Sequence, residues 1–217
     1  VLPVLNRQAF ALGMRAALAL GCEIPELTQF DRKHYYYPDL PKNYQISQYD
    51  LPLAVHGHLD LQVEGREKRI RIRRAHLEED AGKLLHGEGE SSVDLNRTGT
   101  PLLEIVTEPD LRSPAEARAY LEQLRLILLY TGVSDCNMEE GSLRCDANLS
   151  IRPVGETNLG VKNEIKNMNS FKGVELALQK VADDLVRSSQ AGEPIRQVTW
   201  GYSGEQDRIF HMRTKEE

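Results

Sequence analysis

Asn137–Arg152 reads NMEEGSLRCDANLSIR, and its second half alternates without a break. Leu143, Cys145, Ala147, Leu149 and Ile151 fall on one side; Arg144, Asp146, Asn148, Ser150 and Arg152 fall on the other. Side chains of a strand point to opposite faces in turn, so residues 142–152 are read as a strand with one apolar and one charged face. The charged face has two readings. One is a surface strand with paired charges. The other is a grip for a metal–phosphate ligand, since arginine holds phosphate through paired hydrogen bonds and aspartate can hold a hard cation. Glu139 and Glu140 stand just upstream and add to the second reading.

Helices are expected on both sides of this segment. Upstream, Ser113-Pro114-Ala115-Glu116 combines an N-cap, a proline suited to the first turn and a glutamate placed for a capping box. Ala117, Leu121, Leu124 and Leu128 follow at helical spacing, and Gly132 closes the helix. Downstream, a strand over 159–167 precedes an amphipathic helix from about Ser170 to Ser189, with Val174, Leu178, Val181 and Leu185 on its apolar side. A hairpin then joins 195–200 to 208–213 through Ser203-Gly204-Glu205.

Toward the N-terminus, residues 5–21 carry alanine, leucine and methionine at helical density, with Gly21 at the stop. The stretch FDRKHYYYPDLPKNYQISQYDLP holds five tyrosines and three prolines without a sustained period, and reads as a packed irregular loop. Residues 58–64 and 68–77 read as two strands around the turn Glu64-Gly65-Arg66-Glu67; in the second, Ile70 and Ile72 alternate with Arg69, Arg71 and Arg73. Residues 84–100, with the run GEGESSVDLNRTGT, read as loop, and PLLEIVT at 101–107 as a strand. Strands outnumber helices and several links are hairpin-length. The expected fold is α+β, a mostly antiparallel sheet with helices packed on one face, in a single domain over residues 1–217.

The bulk properties narrow the classes. A chain of 217 residues with 40% hydrophobic and 28% charged residues is an ordinary globular composition. No run approaches the roughly 20 apolar residues of a membrane span, and no signal peptide is visible. Three cysteines (Cys22, Cys136, Cys145) without CxxC spacing argue for reduced thiols in a cytosolic setting, and against a zinc ribbon or disulfide scaffold. A formal charge of −6 argues against a nucleic-acid grip spread over the whole surface.

Four places carry carboxylates in unusual company. Glu78, Glu79 and Asp80 end the arginine-rich strand, Glu104 interrupts PLLEIVT, Asp146 lies on the charged strand face, and Glu164 sits between Lys162 and Lys166. An unpaired buried carboxylate costs several kcal/mol, so each needs a partner. Glu104 and Glu164 taken singly also fit plain ion pairs. Together, acids on neighbouring strands of one sheet with Arg and Lys between them are suited to one or two Mg²⁺ ions held against phosphate oxygens. His76 and His86 lack a second His or Cys at ligand spacing and read as hydrogen-bonded bystanders. No GxxxxGK[ST] or GxGxxG sequence occurs, so a nucleotide would be bound without a P-loop or Rossmann turn. Cys145 reads as core, and the serines of GEGESS have no paired base, so nucleophilic amidase chemistry is not expected. Lys33 and Lys42 flank the tyrosine-rich loop, either as solvated lysines or as a rim for an anionic substrate end or a polar passage. Asn163, Asn167 and Asn169 read as turn or ladder partners.

FDRKHYYYPDLPKNYQISQYD, HLEEDAGK, VDLNRTGTPLLEIVTEPDLRSP, GVSDCNMEEGSLRCDANLSIRP and EIKNMNSF, in this order, resemble the B-type (GatB/GatE) component of the aspartyl/glutamyl-tRNA amidotransferase family, and they span nearly the whole chain. The resemblance implies a catalytic cradle domain related in fold to glutamine synthetase. It implies a two-step reaction, in which ATP phosphorylates the side-chain carboxylate of Glu on tRNA(Gln) or Asp on tRNA(Asn), and ammonia then displaces phosphate. It implies Mg²⁺ and ATP, an amidase partner (the A component) that supplies ammonia through a polar channel, a small third partner (the C component), and an aminoacyl-tRNA acceptor end. By motif, Glu79, Asp146 and Glu164 match metal-binding acids, while Glu104, Lys33 and Lys42 match polar residues at the channel or its mouth. Arg144 and Lys166 are added from their facing, as stabilisers of phosphate or acyl phosphate that bind ATP; with Glu79 and Glu104 they form the expected catalytic set. The expected setting is the cytoplasm, bacterial-like, or an organellar matrix. Relative to the family, a strand with a GLEVH-like metal motif is expected to precede Val1, and a helical domain and tail to follow Glu217. Two rivals remain at this point: another ATP-dependent carboxylate–amine ligase, and a non-catalytic scaffold that docks an amidase and presents tRNA.

Overall fold

Asn6 starts the first helix, α1 (Arg7–Ala19), by accepting hydrogen bonds from the amides of Gln8 at 2.9 Å and Ala9 at 3.1 Å. Those amides have no partner inside the helix, so the cap stabilises its first turn. Gly13, Ala16 and Ala17 are its buried stripe. A methyl group on Gly13 would stand 3.0 Å from Leu53 Cδ2 and 3.1 Å from Leu77 Cδ2, which shows how closely the helix backbone approaches the core. The computed structural model describes residues 5–87 and 89–214, without the side chains of His86, Arg213 and Thr214. The expectation for the His86 side chain lies outside the described residues.

Three helices and eleven strands are formed among these residues, an α+β fold with mostly antiparallel pairing. The chain divides into two compact units. One comprises the residues up to Asp60, Glu67–Asp110 and Ile127–Val133; the other comprises Leu61–Arg66, Leu111–Leu126 and the residues from Ser134 onward.

The first unit holds α1, the hairpin β1 (Asp31–His34) with β2 (Tyr44–Ser47), the hairpin β5 (Lys83–His86) with β6 (Ser91–Asp94), and most of a sheet ordered β3-β4-β7. In that sheet β3 is Ala54–Val63, β4 is Arg66–Glu79 and β7 is Pro101–Thr107. Glu64 and Gly65 link β3 to β4 with φ of +51° and +75°, the left-handed pair that matches the twist of a tight hairpin. Along β4 the inward positions begin with Ile70 and Ile72 and continue with Ala75 and Leu77. The phase changes at Arg73, where the β4–β7 register shifts by one residue. This bulge turns Arg74, His76 and Glu78 onto the face that Arg69 and Arg71 occupied before it. Gln48, fully buried, ties the end of β2 to the sheet: its Oε1 accepts from Leu77 N at 2.9 Å and Leu53 N at 3.2 Å.

In the second unit the sheet runs β11-β10-β9-β8, with β8 at Ala147–Leu149, β9 at Asn163–Lys166, β10 at Val198–Ser203 and β11 at Arg208–Thr214. Helix α3 (Phe171–Gln190) is capped by Ser170, which accepts from Gly173 N at 3.0 Å. Its buried side, Val174, Ala177, Leu178, Val181 and Leu185, covers the face that carries Ile165, Trp200 and Tyr202. The pair β9–β10 is parallel, as a strand–helix–strand crossover through α3 requires. Asn163 is fully buried and accepts the indole N–H of Trp200 at 2.8 Å, the ladder-side role expected of it. Helix α2 (Pro114–Tyr130) starts where its capping box predicts, with Ser113 Oγ accepting from Glu116 N at 3.2 Å, while Glu116 Oε2 accepts at 2.6 Å from Arg112 N, one residue before the cap.

Several expectations are corrected. The strand over 142–152 pairs only at 147–149, although burial alternates from Leu143 to Leu149 as the pattern predicts. In this register Asp146 stands opposite Lys166 and Cys145 opposite Asn167; Asn167 turns away with φ +64°, so β9 ends and the ladder with it. The strand over 159–167 shortens to 163–166, and only its C-terminal end is set by the turn at Asn167. The tyrosine-rich stretch and residues 84–100 contain the hairpins β1–β2 and β5–β6. Their strands are only four residues long and mix polar with apolar residues, too short for a period to mark them.

Candidate active site

In the first unit, the bulge in β4 assembles a cluster that the alternation of Arg and Ile conceals. His76 pairs with Glu104 across β4 and β7, and Glu78 lies two residues along the same face. His76 Nε2 stands 3.5 Å from Glu78 Oε2 and 3.6 Å from Glu104 Oε2. One donor atom from each of the three lies within 4.8 Å of the others. His76 is buried, Glu78 mostly so, and Glu104 is half exposed, giving the cluster an open side. Glu104 therefore avoids the burial penalty that its apolar flanks suggest; β7 is the edge strand of its sheet. Burial by itself raises the Glu78 carboxyl, yet His76, then Ser47 and Lys33, outweigh that and hold it below its ordinary value. Ser47 Oγ donates to Glu78 Oε2 at 3.1 Å.

Glu79 is engaged differently. Its Oε1 accepts from Ile46 N at 2.8 Å and is paired with the Lys42 ammonium. Lys42 Nζ also lies 4.5 Å from the Tyr44 ring centre. Lys33 Nζ lies 5.7 Å from the centre of the Tyr35 ring. Both lysines of the proposed rim thus border the end of β4 that carries Glu78 and Glu79.

Asp146, Glu164 and Lys166 meet in the second unit. Lys166 Nζ bridges Asp146 Oδ2 at 3.0 Å and Glu164 Oε1 at 3.4 Å. Burial depresses the Lys166 ammonium, but Asp146 first and Glu164 next more than offset this and keep it above its ordinary value. Register places Thr199 beside Glu164, and the fully buried Thr199 donates from Oγ1 to Glu164 Oε2 at 3.2 Å. Arg144 is exposed, like Asp146 and Asn148. Cys145, on the opposite side, has its thiol pushed up to about 12 by burial and then by the Asp146 charge, which agrees with a core role.

The four expected carboxylates divide between two sheets rather than lining one: Glu79 and Glu104 belong to β4 and β7, while Asp146 immediately precedes β8 and Glu164 lies in β9. The sequence marks Glu78 only as one of three consecutive acids and His76 as a bystander. The signal was present in the His76-x-Glu78 spacing, which puts both on one strand face. Its partner Glu104 became visible only with the bulged register. An imidazole with two carboxylates is a mixed nitrogen–oxygen donor set that can take Mn²⁺, Fe²⁺ or Zn²⁺ as well as Mg²⁺. The set around Asp146 already holds a cation, the Lys166 ammonium.

The fold and the clusters define an α+β sheet protein whose acids, lysines and one histidine gather on strand faces. The family follows: the model for the GatB/GatE catalytic domain matches residues 1–217, and the chain belongs to this family. It is 57% identical over its whole length to the B subunit of the aspartyl/glutamyl-tRNA(Asn/Gln) amidotransferase of Moorella thermoacetica, of which it covers 46%. The namesake protein of Geobacillus thermodenitrificans is likewise 57% identical, with 46% covered. That of Carboxydothermus hydrogenoformans is 56% identical, again with 46% covered. The chain thus spans about half the length of these relatives. Among the described residues, no helix is long and apolar enough to cross a membrane.

Proposed function

We propose that this chain carries the phosphorylation and amide-forming site of a tRNA-dependent amidotransferase. The substrate is a mischarged Glu-tRNA(Gln) or Asp-tRNA(Asn), with ATP as co-substrate and ammonia supplied by an amidase partner in an assembly with a small third component, in the cytoplasm or an equivalent organellar matrix. The observation that carries this reading is the His76–Glu78–Glu104 cluster, bordered by Lys33 and Lys42, in a chain more than half identical to proteins of that name.

The chemistry explains the residue types. A carboxylate is a poor electrophile, and its oxygen leaves badly. Attack of a carboxylate oxygen on the γ-phosphorus of ATP releases ADP and forms an acyl phosphate. Ammonia nitrogen then bonds to the acyl carbon, the C–O bond to phosphate breaks, and the departing phosphate takes up the proton the nitrogen loses. Charge accumulates around the transferred phosphoryl group, and side chains fixed in advance stabilise it.

His76, Glu78 and Glu104 are proposed to hold a divalent cation, Mg²⁺ in function, which when bound neutralises phosphate oxygens. Asp146 and Glu164 are proposed as a second acidic pair for a metal cation that would take the place of the Lys166 ammonium they hold here, leaving Lys166, with Arg144, for phosphate or acyl-phosphate oxygens. Glu79, fastened by Lys42 and the Ile46 amide, is proposed at the rim with Lys33, where ammonia arrives. Neutral ammonia is the minor form at pH 7, so a protected polar entry keeps it reactive.

The test supplies the assembled enzyme with ATP, Mg²⁺, glutamine and Glu-tRNA(Gln), and follows ADP and Gln-tRNA. Both should appear, and both should collapse in Glu78→Ala and Asp146→Ala. Retained product in either variant would instead support a scaffold role for that cluster. ADP formation without any RNA would support the general carboxylate–amine ligase.

A further inference from the structure

We infer that Arg74 is a catalytic residue whose guanidinium, on the strand face that carries His76 and Glu78, holds the oxygens of the phosphoryl group as it passes from ATP to the substrate carboxylate. The inference deepens the proposed function and rests on its phosphorylation step.

Charge pairing singles Arg74 out among its neighbours on β4. Arg69, Arg71 and Arg73 are each held by two hydrogen bonds to one carboxylate, from Asp60, Asp110 and Glu108. Arginines engaged in this way are neutralised and have their paired donors filled. Arg74 differs. The bulge that turns it onto the cluster face sets it opposite Val106, an apolar neighbour. Among the described residues no carboxylate pairs with it, and its Nε is shielded from water without a hydrogen-bond partner. A shielded donor on a permanent cation is costly to leave unmade, and an anion is the partner that satisfies it.

The guanidinium is also held in place. Its carbon lies 5.3 Å from the centre of the Tyr49 ring. The Tyr49 backbone N–H donates to Asp31 Oδ2 at 3.1 Å, and the preceding Gln48 is fastened to the amides of Leu53 and Leu77. An aromatic ring against a guanidinium fixes the group by its face and leaves the in-plane N–H groups for a ligand.

Position and chemistry point to the same ligand. His76 follows Arg74 by two residues, about 7 Å along a strand, and Glu104 stands opposite His76. A phosphoryl group neutralised on one side by a cation on the carboxylate cluster is thus within reach of the long Arg74 side chain on the other. During transfer a carboxylate oxygen bonds to the γ-phosphorus, the bond to the bridging oxygen breaks and ADP departs with that electron pair. Charge is then spread over the three oxygens in flight. The planar fork of an arginine matches two of them, and Arg74 neither gains nor loses a proton in the step.

The test uses the assembled enzyme with Arg74→Ala and Arg74→Lys. The kcat for ADP formation should fall about 100-fold in Arg74→Ala, the order of one lost transition-state donor, while the KM for aminoacyl-tRNA stays unchanged. Arg74→Lys should recover only part of the rate, because an ammonium cannot grip two oxygens at once. Free guanidinium added to Arg74→Ala should restore part of it, which a purely structural arginine would not allow. Independently of turnover, ADP with aluminium fluoride, a stand-in for the phosphoryl group in flight, should bind at least about tenfold more weakly to Arg74→Ala, and ADP alone equally well. Unchanged ADP–fluoride binding would overturn the inference. So would a raised KM for aminoacyl-tRNA at unchanged kcat, which would assign Arg74 to another substrate group. Should Arg74→Ala fail to fold, the same binding difference in Arg74→Lys decides. If the wild-type enzyme forms ADP without any RNA, the proposed function fails by itself, and the ADP–fluoride measurement still decides Arg74.

Discussion

His76 and Glu104 face each other across β4 and β7 with Nε2 and Oε2 3.6 Å apart, and they do so because the strand carries a bulge at Arg73. Without that extra residue the positions after Arg73 would exchange faces. His76 and Glu78 would enter the core, and Ala75 and Leu77 would leave it. The bulge therefore converts a plain amphipathic strand into one that delivers a histidine and a carboxylate to an open cluster while still burying its apolar residues.

Metal affinity tests the cluster directly. Glu78→Gln and the half-exposed Glu104→Gln keep shape and remove charge, and each should weaken Mn²⁺ binding, read by electron paramagnetic resonance, by about tenfold or more. Thermal unfolding in the absence of metal should change little for Glu104→Gln. Equal Mn²⁺ affinity in all three proteins would place the ion elsewhere.

Thr199 should act on the second acidic pair through Glu164. Thr199→Val is nearly isosteric and removes the hydroxyl that donates to Glu164 Oε2. We expect a loss of about 1 kcal/mol in stability, the usual net worth of one hydrogen bond. In the assembled enzyme the KM for ATP should rise severalfold, and Thr199→Ser should restore it. A stability loss without any kinetic change would leave Thr199 a purely structural residue.

Acid should destabilise the first unit through Glu78. Its carboxyl in the folded protein sits below the ordinary 4.5, because His76, Ser47 and Lys33 together outweigh its burial. A lowered folded-state pKa means that the unfolded chain binds this proton more readily. The stabilisation is complete above the unfolded value and is lost as pH falls through the folded one. The thermal midpoint should therefore drop on acidification below about 4.5, and Glu78→Gln should flatten that part of the profile. A profile identical to wild type in that window would contradict the assignment.

Thiol chemistry should be silent in the native state. Burial raises Cys22 and Cys136, and burial with the Asp146 charge takes Cys145 up to about 12. All three are then thiols at pH 8, and the thiolate is the reactive form. An aromatic disulfide reagent should titrate them quickly only in denaturant. A fast native phase removed by Cys145→Ala would show that this side chain is not part of the core.

Local structure was legible in the chain wherever the code is local. The Ser113–Glu116 capping box, the Glu64-Gly65 turn and the stripe from Val174 to Leu185 each specify an element through neighbours a few residues apart, and each is found where the residues put it. The alternation from Leu143 to Leu149 correctly assigns every side chain to its face. The family, too, was readable, because its motifs run the length of the chain. Tertiary structure decided what depends on a distant partner. It delayed the start of β8 to Ala147, because Asn167 turns the opposing strand away, and it made hairpins of two stretches that show no period of their own. It separated the four carboxylates onto two sheets, placed the Lys166 ammonium between Asp146 and Glu164, and brought His76, Glu78 and Glu104 together. Periodicity states which face a residue takes along its own strand. Register and bulges, set by the packing of the whole sheet, decide which residue it meets there.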